Sequence, residues 1–402
     1  MITAFASSSG VDLLLIAISL IIILGYVGEA IFKATRLPEV LILILIGIAL
    51  GPIGHVLPST YVSTLRSLTP LFGSVALIMI MFNSGKLVKF SSKRTPGAYG
   101  ILIGLADIII MSAAMALIMH YMLAWPYIYG ALLGAILGET TTIAVLPLLR
   151  KLKVDEWFYN MELSEATFNS VFSILAFYAL LGVIQGNGFS AASYIQYMVS
   201  YISIAVFIGL VAGFGWLLAR SALKIATGYL ASFAVAILLY AFVDLLGGAA
   251  VVAVLLFAII VGNARMINRF LNLRNIGDGE NSRDVERNLE FLLRTFFFVF
   301  VGIITLLSLE YFIYGLVITA VLIFLRYGQV KTMLRRAESK YRDLLLALLP
   351  RGLTVAVLSS ILFSLGGTYP TDIFYISSSV IILTNIAFAV LASRQTKVFG
   401  TN

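Results

Sequence analysis

The sequence predicts an all-α polytopic membrane protein of about thirteen transmembrane helices, and three observations predict it. Of 402 residues, 61% are hydrophobic and only 11% are charged, too few charges to form the polar shell of a soluble domain. Apolar stretches of ~20 residues recur along the whole chain, each long enough to cross a ~30 Å hydrocarbon core at ~1.5 Å per residue. The stretches are continuously apolar rather than alternating, which selects helices over a β-barrel.

Taken in order, the spans fall at about 11–32, 38–56, 69–87, 97–121, 126–149, 160–185, 191–219, 226–245, 248–264, 288–308, 309–329, 342–365 and 371–393. The residues before the first span carry no positive charge and no clear small-residue cleavage site follows it, so it reads as a span rather than a signal peptide. The polar stretch 265–287 reads as a linker, and no soluble regulatory domain is expected after the last helix. An odd number of spans puts the two termini on opposite sides. Twenty-three of the 27 Lys and Arg residues then fall on one side, in the connections after the odd-numbered spans and in the C-terminal tail. Arg66 is the one cation in an opposite-side loop, and Arg294, Arg326 and Arg351 lie within spans. The positive-inside rule places the N-terminus outside and the C-terminus in the cytosol of a cell (plasma or inner) membrane. The formal charge of +8 is therefore topology, and no nucleic-acid partner is expected. The chain has no cysteine, which excludes disulfides and thiol chemistry, and His55 and His120 are too few for a metal or haem cluster. No cofactor is implied, and no metal beyond a transported monovalent cation.

Ionisable groups deep in a span are costly enough that function is their default reading. Glu139 in the fifth span lies ten residues from one end, ~15 Å by helix rise. Arg351 in the twelfth and Asn169 in the sixth are each nine residues in, and Glu165 is one turn shallower. Three helices thus bring polar groups to the midplane. Glu162, Glu165 and Asn169 share a face of the sixth span and read as an acidic access funnel, a deeper carboxylate and a central amide. Asp107 is also deep, and reads as a pairing partner or a secondary proton site.

The sequence around these groups is poor continuous helix. Gly138 to Thr142 is G-E-T-T-T, and Pro350, Arg351 and Gly352 set a helix breaker and a glycine about a cation. The fifth and twelfth spans are seven apart, so they are equivalent members of two inverted six-helix repeats. The chain is expected to form one transmembrane domain over 1–402, with repeat one at about 11–185, a linker helix at about 191–219 and repeat two at about 226–393. Interrupted helices at corresponding positions point to a transporter's midplane site, where unwound carbonyls and Thr140 or Thr141 hydroxyls replace an ion's water shell.

These residues resemble the cation–proton antiporter superfamily, in its sodium/proton exchanger branch. The resemblance rests on six pieces in order: I-A-V-L-P-L-L-R-K-L in the fifth span, E-A-T-F-N-S in the sixth, the ninth ending in G-N-A-R, F-F-F-V-F-V-G in the tenth, F-L-R-Y in the eleventh and L-P-R-G-L-T-V-A-V in the twelfth. It implies a homodimer of inverted-repeat protomers that exchanges a monovalent cation, Na⁺ or K⁺, for protons by alternating access. It implies that Thr140 supplies site oxygens, that Glu165 and Asn169 are the motif glutamate and asparagine, and that Arg326 and Arg351 balance charge. The family's two site aspartates fall on Thr141 and Ser170, and its motif serine on Ala166. Exchange needs a group that holds cation or proton but never both, and Glu139 and Glu165 are the carboxylates expected to take over. Glu165 with Arg351 reads equally as a permanent ion pair. Two other classes stand beside this one. One is a carrier on the same scaffold with changed chemistry, for anions or an uncoupled solute. The other, a polytopic membrane enzyme, is disfavoured by short and nearly uncharged outer loops.

Overall fold

The computed structural model describes residues 19–20, 22–28, 30, 38–54, 59–88, 94–186, 191–223, 229–271, 282–333, 339–366 and 369–398. Most of the first expected span, His55 and residues 272–281 of the expected linker lie outside these. The described elements are α1 (Glu39–Ile48, continued by a π-turn over Ala49–Ile53), α2 (Ser59–Leu87), α3 (Arg94–Leu123), α4 (Tyr127–Leu137), α5 (Thr142–Leu152), α6 (Glu156–Gln185), α7 (Ala191–Leu223) and α8 (Tyr229–Leu245). There follow α9 (Ala250–Gly262), α10 (Ala264–Phe270), α11 (Ser282–Ile304), α12 (Leu309–Met333), α13 (Ser339–Ala347), α14 (Leu353–Leu365) and α15 (Asp372–Val398).

The all-helical class is as the apolar pattern predicts, but length and composition do not establish a count of thirteen crossings. Six described helices are long and apolar enough to cross a membrane singly, and α9 with α10 makes a seventh across a 68° bend. The expected second, fifth, eighth and twelfth spans appear as shorter apolar helices. Two of those are short because their spans are interrupted. Residues 138–141 separate α4 from α5, and residues 348–352 separate α13 from α14, at the two places where glycine, proline and β-branched residues cluster. The expected tenth span is the apolar end of α11, whose first half carries Asp284, Glu286, Arg287 and Glu290.

Packing sorts the helices into two groups. In one, α3 lies along both α4 and α6, while α12 lies along α15 and α13 and α14 touch α15. In the other, α9 packs against α2, α7 and α8, and α11 packs against α1. Small residues set the closest approaches. Gly47 of α1 and Gly302 of α11 face one another so closely that a Cβ on either would meet the other's backbone. Gly130 and Gly134 of α4 do the same against the α3 backbone at Met115 and Met111. Such contacts replace the hydrophobic drive that is missing between helices in lipid. The groups meet where α14 packs on α2 and α11. The two interruptions lie at that meeting, and they position the site.

Candidate functional site

The interruptions cross. α4 ends with Gly138 as its C-cap, Thr141 is extended, and the Thr141 backbone N–H donates to the Pro350 carbonyl at 3.1 Å. Pro350 has no N–H of its own, but its carbonyl is free to accept because no helix continues there. Gly352 permits the close approach: a Cβ there would fall on the Thr141 side chain. The second stretch is held from behind by α15. Asn385 donates to the Arg351 carbonyl at 2.9 Å, and the Arg351 N–H donates to the Thr384 hydroxyl at 3.3 Å. The crossing gathers two helix C-termini and two helix N-termini, so partial charges of both signs converge there.

Arg351 reaches across it. Its guanidinium donates to the Glu139 carbonyl and, at 2.9 Å, to the Thr140 hydroxyl. A cation thereby meets the carbonyl end of α4, where backbone acceptors lack helical partners. The Glu139 side chain points the other way. Its Oε1 accepts from Ser170 of α6 at 3.0 Å and from Thr354, in the first turn of α14, at 3.2 Å. Its Oε2 is buried with no hydrogen-bond partner among the described residues. The residue is 2% exposed and lines a cavity of about 570 Å³ with Thr141, Thr167, Ser170 and Thr354. That cavity runs between α2 and α11 on one side and α5, α6 and α14 on the other. Arg150, Glu286, Arg287 and Glu290 line it as well.

A second buried set lies beyond the crossing. Glu165 of α6 meets Arg326 of α12 at 2.5 Å, and Asp107 of α3 meets the same guanidinium at 3.3 Å. Asn169 donates to Asp107 at 3.4 Å, and Arg326 reaches the Leu345 carbonyl of α13 at 3.5 Å. A small cavity of about 20 Å³, room for about one water, adjoins it; Asp107, Thr140, Arg326, Gln329 and Arg351 are among its lining residues.

The sequence-predicted residues are thus divided between two sets. Glu139, Thr141 and Ser170 come together on the large cavity. Thr140 faces Arg351 and the small one. Glu165, expected beside Arg351, pairs instead with Arg326, because Arg351 is engaged with the backbone of the first interruption. Asn169 is turned to Asp107, so the reading of Asp107 as a pairing partner matches its contacts. Glu162 is 2% exposed and is not among the residues lining the large cavity. Arg150 and the acids Glu286 and Glu290 of α11 line that cavity instead, although the sequence puts Glu286 in a linker and Glu290 in the tenth span. Thr354, Thr384 and Asn385 were missed. The polar pair T-N within the apolar run I-I-L-T-N-I was the available signal for the last two.

Comparisons with known proteins agree with this architecture. The family model for the sodium/hydrogen exchanger transmembrane region matches residues 16–393. The chain is 24% identical over 321 residues to the K⁺/H⁺ antiporter NhaP of Alkalimonas amylolytica, covering 78% of this chain and 54% of that one. It is 27% identical over 215 residues to sodium/hydrogen exchanger 8 of Arabidopsis thaliana, covering 51% of this chain and 28% of the relative. The chain therefore spans about half the length, or less, of these curated relatives. In three dimensions it superposes on the sodium proton antiporter MjNhaP1 of Methanocaldococcus jannaschii at pH 8 with a TM-score of 0.76, covering 96% of both chains at 22% identity.

Proposed function

We propose, because this chain belongs to the sodium/hydrogen exchanger family, that it is a secondary transporter exchanging a monovalent cation, Na⁺ or K⁺, for protons by alternating access. The observation that carries this reading is Glu139, a buried carboxylate with one oxygen unpartnered among the described residues, on a cavity wide enough for a hydrated ion. Exchange at a single site requires a group that a cation or a proton can hold, each excluding the other. Glu139 meets that need with the Thr141, Ser170 and Thr354 hydroxyls around it, all hard oxygen donors. Ser170 stands where the family's site aspartate is expected, and the Glu139 carboxylate is hydrogen-bonded to it. In this reading the carboxylate comes from the first interruption rather than from α6, within hydrogen-bonding distance of Ser170. That compensation favours cation exchange over an anion-handling site.

Arg351 and Arg326 hold the interruption and the α3–α6–α12 contact, and in this reading neither touches the cation. The charge asymmetry puts the C-terminus and Arg150 on the cytosolic side, so the large cavity opens inward. Single cysteines placed at Arg150 and at Arg66 of this cysteine-free chain should label from opposite faces of intact cells. Labelling of both from one face would overturn the orientation. A homodimer is part of the same reading, and the mass of the detergent-solubilised protein checks it.

Transport itself is tested in proteoliposomes with a trapped pH dye and an imposed proton gradient. Na⁺ or K⁺ should collapse the gradient, whereas Cl⁻ added with an impermeant cation should not. A response to the anion alone, or to no cation with folded protein, would refute the exchange reading.

A further inference from the structure

Glu162 and Glu165 lie one helical turn apart on the same face of α6, 2% and 1% exposed, so their carboxyl groups are neighbours. Treated as carboxylates, they leave oxygens stranded. Glu162 Oε1 and Glu165 Oε2 are buried without a hydrogen-bond partner among the described residues. A carboxylate only accepts hydrogen bonds, so two of them facing each other cannot satisfy one another. A protonated carboxyl donates, and one proton supplies the missing bond.

The charges around them require the same. Asp107 from α3 and Arg326 from α12 face the pair, with Arg351 across the small cavity. Two arginines thus serve four carboxyl groups: Glu139, Asp107, Glu162 and Glu165. Fully ionised, this set holds two uncompensated negative charges inside the membrane, which burial strongly disfavours.

We infer that Glu162 and Glu165 share one resident proton, a second protonation site apart from the Glu139 cavity. With that proton in place the buried set carries a single negative charge, which one monovalent cation or one proton at Glu139 neutralises. This consequence rests on the role given to Glu139 above; the resident proton does not. Glu162 therefore acts as a positioning residue that keeps the exchanged charge at one, and not as an access point for the ion.

Infrared spectroscopy of the full chain tests it without any transport assay. Glutamate labelled with heavy carbon in its side-chain carboxyl shifts the carbonyl band of any protonated glutamate. The Glu139→Gln variant is the reference, so that a proton on Glu139 contributes nothing. At neutral pH the reference should show a label-sensitive protonated-carboxyl band, and adding Glu162→Gln should remove it. A reference without that band, or a band that survives Glu162→Gln, would overturn the inference. Should that double variant fail to fold, Glu39→Gln and Glu290→Gln take its place, since these two glutamates are also partly buried, beside Arg294. Loss of the band with either would equally overturn the inference, and retention with both would support it.

Discussion

Glu139→Gln should bring cation-driven proton movement in proteoliposomes down to the level of empty vesicles, while the protein still folds. Glutamine keeps the shape of the side chain, and its amide oxygen still accepts from Ser170 and Thr354. The backbone carbonyl that receives Arg351 is untouched. What disappears is the carboxylate at the deep end of the large cavity, the group beside the crossing that either a proton or a cation can occupy. A decisive second step uses the hydrogen bond between Glu139 and Ser170. Adding Ser170→Asp to Glu139→Gln returns a carboxylate to nearly the same point, now from α6, and exchange should recover in part. Unchanged exchange in Glu139→Gln would place coupling elsewhere. A silent single variant that Ser170→Asp fails to restore, with both proteins folded, would mean that the Glu139 frame itself is needed and not merely a charge at that position.

This pair also shows where reading the sequence reached and where it stopped. The continuous apolar lengths led to the helical class, because backbone polar groups in lipid must be satisfied by a helix or a closed barrel and a barrel strand would alternate. Both interruptions were legible, since G-E-T-T-T and P-R-G oppose helix in chemical terms that need no neighbours. The pairing of charges was not legible. Depth along a span told which residues reach the midplane, and Arg351, Glu139, Glu165 and Asp107 were all found that way, whereas Arg326, near the end of its span, came from the family resemblance. Which arginine meets which acid depends on the rotation of each helix about its axis and on how extended stretches aim their side chains. A one-dimensional depth cannot contain either. Hence Glu165 was set against Arg351, when the interruption had already claimed that guanidinium. The same limit explains Glu162: its position near a helix start suggested water, but the face it shares with Glu165 turns it inward against α3 and α12. The tenth span was blurred for a different reason. Its charged first half lines a cavity, so it has neither the hydropathy of a lipid-facing helix nor the polarity of a loop.

Arg326→Met should be among the most destabilising single changes in the molecule. Arg326 is 5% exposed, and its guanidinium touches Glu165 at 2.5 Å, Asp107 at 3.3 Å and the Leu345 carbonyl at 3.5 Å. It therefore joins α12 to α3, α6 and α13 at one point. Removing one partner of a buried ion pair leaves an uncompensated charge, and the loss is typically ~3–5 kcal/mol. Methionine fills much of the volume, so the effect would come from charge rather than from a cavity. The double variant Arg326→Met with Glu165→Gln tests that attribution. It removes both charges together, which is often close to neutral for a buried pair, and should recover most of the lost stability. Arg326→Lys should fall between, because an ammonium cannot bridge two carboxylates and a carbonyl with the fixed fork of a guanidinium. Thermal unfolding in detergent, followed under one condition for the parent, Arg326→Met, Glu165→Gln and the double variant, gives the coupling between the two positions. If the double variant is as unstable as Arg326→Met alone, then Asp107 or the Leu345 carbonyl, and not Glu165, is the partner that holds α12 in place. If Arg326→Met is as stable as the parent, the four-helix junction is secured by packing, and the buried charges there serve transport alone.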